Sequence, residues 1–134
     1  MIGMQPQPLR GFLQRRFSRE MGKPDGSLTL PRWMARRSFC NDMGPADTAF
    51  VLDRLVPDAP GVGLEPASRA GLSDALPRSY IKMKRDKAVP PKLADQYISI
   101  LGGGTRVVEL DAGHDVMVSN PAAIAEAIRQ VSTL

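Results

Sequence analysis

Asp86 and His114 are the residues of this chain whose types and spacing could do acid–base chemistry. Asp86 lies in Tyr80-Ile81-Lys82-Met83-Lys84-Arg85-Asp86-Lys87-Ala88-Val89-Pro90. The single histidine, His114, lies in Arg106-Val107-Val108-Glu109-Leu110-Asp111-Ala112-Gly113-His114. An imidazole ionises near ~6.5, which suits it as a general base at neutral pH. A carboxylate on one ring nitrogen fixes the tautomer and stabilises the imidazolium formed on proton transfer. Such a pair is two-thirds of a hydrolytic triad and needs a nucleophile at the other ring nitrogen. Without that context Asp86 is a turn former after a strand and His114 a loop residue.

The elements that must position the pair read strand–helix–strand–helix over 79–133. Ser79–Lys84 reads as a short strand. Pro90-Pro91 opens a helix whose apolar stripe is Leu93, Tyr97, Ile98 and Leu101, and Gly102-Gly103-Gly104 stops it. Thr105–Leu110 is β-branched and apolar enough for a second strand, and Asp111–Ser119 reads as a loop. Asn120 can cap a last helix with Pro121 at its first position, and Ile124, Ile128 and Val131 give it an apolar face. Strands joined by a helical crossover are parallel, and ligands of parallel sheets bind beyond the strands' carboxyl ends. Asp86 and His114 each follow such an end. Neighbouring strands lie about 4.8 Å apart, so the two side chains can meet over one sheet edge.

Upstream, the texture is different. Residues 1–31 are rich in Pro, Gly and Arg, with Leu9, Leu13 and Phe17 spaced for a short helix and a turn at Pro24-Asp25-Gly26-Ser27. A helical turn is expected over 32–39, around Trp33 and Met34. A better helix runs from Ala46 to Leu55, with Phe50, Val51 and Leu55 on one face and Asp47 in its first turn, ended by Pro57 and Pro60. Residues 58–78 read as irregular.

Composition bounds the function. The 134 residues suit one domain, and 43% apolar residues with only 5% aromatic give an aliphatic core. One cysteine, Cys40, excludes an intrachain disulfide or a cysteine cluster, and no metal or cofactor is expected. A lone thiol fits a reducing compartment, and a cytoplasmic location is expected. No apolar run reaches membrane-spanning length, and residues 1–20 lack the apolar core of a signal peptide. Of the +4 net charge, residues 1–40 hold eight basic and two acidic side chains; the remainder is slightly acidic. An Arg-rich, acid-poor start is shared with transit peptides, and here reads as a basic, poorly ordered segment over 1–23. The basic residues are not interleaved with stacking aromatics, so neither nucleic acid nor membrane is an expected partner.

Three stretches carry a family resemblance: Leu76-Pro77-Arg78-Ser79-Tyr80-Ile81, Arg85-Asp86-Lys87-Ala88-Val89-Pro90, and Leu110-Asp111-Ala112-Gly113-His114-Asp115-Val116-Met117-Val118-Ser119-Asn120-Pro121. Together they resemble the C-terminal part of an α/β-hydrolase, in the esterase branch of plant methylesterases and hydroxynitrile lyases. The resemblance implies that Asp86 is the triad acid and His114 the triad base. Asp25-Gly26 and Cys40-Asn41-Asp42, with the helix at 46–55, look like the lid of the same branch. The implied fold class is α/β: a lid-like segment over 24–75, then a parallel β-α-β-α unit over 76–134.

The family's order is Ser, acid, His, with the Ser in a G-x-S-x-G strand-to-helix elbow. No G-x-S-x-G occurs here. Gly71-Leu72-Ser73-Asp74-Ala75 comes near it but follows an irregular stretch, and Pro77 soon breaks any helix after it, so Ser73 lacks the elbow's context. In the resemblance, hydroxynitrile lyases place a Lys after the His to stabilise cyanide. Asp115 stands there instead and would repel a developing anion, favouring ester hydrolysis. The expectation is an esterase-like part, inactive alone, whose ester substrate requires a nucleophile-bearing half. Open sheet edges would allow self-association. The alternative is a non-catalytic small-molecule-binding or interaction domain derived from that fold.

Overall fold

The computed structural model describes residues 25–59, 68, 70–73 and 75–132. The expected basic segment 1–23, with its Leu9, Leu13 and Phe17 spacing, lies outside them, as does most of 58–70. The chain forms two compact units. One comprises Met1–Pro31 and Val56–Ala67. Its described residues hold an antiparallel bridge in which the Leu28 and Asp58 backbones exchange both hydrogen bonds, at 3.2 and 2.8 Å. Before the bridge, Asp25 Oδ1 accepts from the Ser27 amide and hydroxyl, the local bonding that makes Asp a turn former.

The second unit, Arg32–Leu55 and Ser68–Leu134, contains the named helices and strands. In chain order these are α1 (Arg32–Phe39), α2 (Pro45–Leu52), β1 (Ser79–Met83), α3 (Pro91–Leu101), β2 (Arg106–Leu110), α4 (Val116–Ser119) and α5 (Pro121–Ser132). The fold is a partial α/β one: helices with a small, open, parallel sheet. β1 and β2 pair in parallel from Ser79↔Arg106 to Met83↔Leu110. Lys84 N–H to Leu110 O and Arg85 N–H to Ala112 O continue the ladder past the strand ends. Both outer edges of this two-stranded sheet are unpaired among the described residues.

Local signals set the helix boundaries. Asn120 caps α5: its Oδ1 accepts the Ala123 amide at 3.1 Å, with Pro121 at the first position. Gly102, at φ +99°, ends α3. α1 covers the stretch 32–39 expected to turn helically around Trp33 and Met34. α2 ends at Leu52, before Pro57, and Arg32 holds its C-terminus: Nη1 donates to Leu52 O and Nη2 to Asp53 Oδ1. The expected loop at 111–119 contains the short helix α4.

The apolar faces also differ from the sequence reading. α2 buries Thr48, Val51 and Leu52, while Phe50 is half exposed under the Arg54 guanidinium, 3.7 Å from the ring centroid. α3 buries Ala94 and leaves Tyr97 exposed; α5 buries Ala127 and leaves Ile128 exposed. The closest-packed positions are therefore small residues: Ala35, Ala94, Ala112 and Ala127, with Val116 the largest side chain fully enclosed. Small side chains let helices approach the sheet closely, but they bury little apolar area each. Among the described residues, no helix is long and apolar enough to cross a membrane.

Candidate functional site

The strand pairing brings the carboxyl ends of β1 and β2 side by side, and Asp86 and His114 meet there. Nδ1 of His114 lies 2.8 Å from Asp86 Oδ2. An ionised carboxylate only accepts, so Nδ1 donates, and the neutral ring's lone pair is on Nε2. Asp86 is buried at 7% exposure, whereas the His114 side chain is about one-third exposed. The acid is thus enclosed and the base reachable.

Asp86 is oriented by its own loop. Oδ1 accepts the amides of Ala88 and Val89, both at 2.8 Å, which leaves Oδ2 for the imidazole. This is the short-range side-chain-to-backbone bonding typical of Asp in turns. Arg85 ties the two loops together: Nη2 donates to Asp111 O at 2.6 Å, and Nε pairs with Asp111 Oδ1 at 3.0 Å.

Sequence reasoning gave Phe39 no role and placed Asn41 and Asp42 only in the lid-like stretch. The Phe39 ring packs against the His114 ring, with centroids 5.3 Å apart and planes tilted by 31°. Asp42 accepts the Gly113 amide at 2.6 Å and the Ser119 hydroxyl at 3.0 Å through the same Oδ2. Asn41 Nδ2 donates to Arg85 O at 2.9 Å. The signal for them was the polar Asn41-Asp42 pair in a break between helices, but nothing local states what it bonds.

Electrostatics follow the burial. Asp115, at the start of α4, has its carboxyl pushed above the ordinary value by burial; His114 opposes this, and the charges of Asp86 and Asp42 add to it. Burial also raises the Cys40 thiol, helped by Asp115. Ser73 sits outside helix and strand, its hydroxyl accepting the Ala75 amide at 3.2 Å. No group of three or more His, Cys, Asp and Glu side chains among the described residues is arranged to hold a metal. A cavity of about 180 Å³ lies between Ala75–Arg78 and Gly103–Thr105, at the amino ends of the strands, away from the Asp86–His114 pair.

The sequence matches the model of the alpha/beta hydrolase family over residues 2–127. The chain belongs to that family. No curated protein matches it. The hydrolase-family fold is shared with a polyneuridine aldehyde esterase mutant, at TM-score 0.65 and 19% identity over 83% of this chain and 46% of that one. It is shared with a methylesterase from Arabidopsis, at TM-score 0.64 and 21% identity over 88% and 51%. It is also shared with a His→Ala mutant of PytH, at TM-score 0.62 and 24% identity over 97% and 52%. This hydrolase-family chain thus spans about half the length of the solved structures it matches. The likeness agrees with the fold implied by the resemblance carried by Leu76 to Pro121.

Proposed function

We propose that the chain supplies the acid and base of a carboxylic-ester hydrolase, with Asp86 as the triad acid and His114 as the base. The observation that carries this reading is the 2.8 Å Nδ1–Oδ2 bond from a partly exposed imidazole to a buried carboxylate at the carboxyl ends of parallel strands. In the proposed reaction, Nε2 takes the proton of a nucleophilic hydroxyl as its oxygen attacks the ester carbonyl. The imidazolium, held by Asp86, then protonates the departing alkoxide. Water repeats the sequence on the acyl intermediate. The relatives named as esterases support the ester as substrate class. Asp115 supports it further, since it stands where the hydroxynitrile lyases of the resemblance place the Lys that stabilises cyanide.

The 134 residues hold no G-x-S-x-G, so the nucleophile would come from a complementing half, and open sheet edges would be the surface that receives it. The test is labelling with a fluorophosphonate and turnover of an activated ester. Measurements use the chain alone and the chain mixed with the nucleophile-bearing half of a family member. Negligible activity alone is expected, with turnover on mixing that falls by about 10⁶-fold in His114→Ala. Labelling at Ser73 and turnover by the chain alone would refute the need for a second half. Turnover indifferent to His114→Ala would remove the base from the mechanism. Small-molecule binding that survives His114→Ala, without turnover in any mixture, would favour a non-catalytic binding domain.

A further inference from the structure

We propose that Asn41-Asp42 is a positioning clamp for the acid–base pair, with Asp42 the residue that fixes where His114 stands. This rests on the reading of Asp86 and His114 as acid and base. The Asp86 carboxylate is oriented mainly from within its loop, its Oδ1 accepting two amides there. The loop bearing His114 is held differently. Asp42 Oδ2 takes the amide of Gly113, the residue before the imidazole, and the hydroxyl of Ser119, at the end of α4. One carboxylate oxygen thereby pins the loop on both sides of His114. Asn41, the adjacent residue, reaches Arg85 O, directly before Asp86. Two consecutive side chains from between α1 and α2 thus grip the residue preceding each member of the pair.

The fit is tight enough to dictate sequence. A Cβ on Gly113 would lie 2.5 Å from Asp42 Oδ1 and 2.9 Å from Asn41 Oδ1, closer than real Cβ contacts. The φ of Gly113 is not positive, so space rather than backbone conformation requires glycine there. Phe39, just upstream, packs on the imidazole face. The segment 39–42 therefore controls both the backbone beneath the ring and the surface beside it. Asp42 touches neither Asp86 nor the His114 ring, so its effect is on placement.

Because His114 is the single histidine, ¹⁵N-histidine labelling of the tag-free chain gives one imidazole signal set. Under alkaline conditions, where the ring is neutral, the expected signature is one tautomer with a slowly exchanging Nδ1–H. Asp42→Ala is expected to speed that exchange at least tenfold and mix the tautomers, while Asp42→Asn, which keeps an acceptor, restores most of the signature. Asp95→Asn, which breaks the exposed Lys82 ion pair instead, is the control for general destabilisation and should leave it unchanged. Should Asp42→Ala fail to fold, Asn41→Ala gives the second reading, with a smaller acceleration expected. A wild-type signature in folded Asp42→Ala, or in folded Asn41→Ala where that replaces it, would overturn the clamp. Asp86→Asn separates the two ideas. If it abolishes the signature while the clamp variants do not, the pair stands and the clamp falls. If Asp86→Asn changes nothing, the pair itself fails and the clamp with it.

Discussion

The two loops at the carboxyl ends of β1 and β2 reach the same place by different means. The loop after β1 is organised mostly from within, because Asp86 folds its chain around its own carboxylate through Ala88 and Val89, with Asn41 adding one distant bond at Arg85 O. The loop after β2 is organised from outside: Asp42 holds its backbone, Phe39 packs on its ring and Arg85 grips Asp111. The acid is in a locally determined turn, and the base is in a turn set by contacts distant in sequence. Local bonding survives small shifts of the surrounding structure, whereas a loop pinned from a distance moves when its pin moves. The base should therefore be the more easily displaced member of the pair.

Substitutions can break that contrast or refine it. Asp86→Ala carries the largest expected effect, since it strips two amides of their acceptor in a part-buried turn and leaves Nδ1 without its carboxylate. A loss of roughly 2–4 kcal/mol is expected in urea unfolding. A near-neutral result would mean that the first loop is not self-organised. Gly113→Ala comes next, at about 1–3 kcal/mol, because the new methyl must displace the side chains of Asp42 and Asn41. Combining it with Asp42→Ala should recover part of the loss, and strict additivity would show that the two residues do not meet.

Asp115→Asn is the smallest and sharpens the picture of the second loop. Burial raises the Asp115 carboxyl above its unfolded value, so ionisation at neutral pH works against folding. Its contribution is intact below the unfolded pKa, near ~3.9, and is lost as pH rises through the higher folded value. The amide variant should therefore be slightly the more stable at neutral pH, with the gain vanishing below about pH 4. Parallel urea melts across that range would read it, and a gain persisting at acid pH would assign the effect to something other than charge.

What was legible in the sequence follows the same division. The parallel strand pair, the crossover helix, the Asn120 cap and the meeting of Asp86 with His114 all came from periodicity and turn chemistry acting over a few residues. The buried faces were harder to read. Phe50, Tyr97 and Ile128 are apolar at helical spacing and yet exposed, while Ala94 and Ala127 take the packed positions. A hydrophobicity pattern ranks residues by size and polarity, but close approach of a helix to a sheet selects small side chains. The capping of α2 was hidden for a related reason, because Arg32 bonds its last carbonyl from twenty residues upstream.

The sequence by itself determined the residue types, the strand–helix–strand–helix order and the placement of an acid and a base past two strand ends. Those follow from preferences that each short segment carries with it. Only the tertiary structure decided which distant polar residues hold the loops of the acid and the base. Asn41 and Asp42 lie more than forty and seventy residues from the groups they bond. No local preference encodes a hydrogen bond across that separation, which exists only once α1, α2 and the sheet have packed.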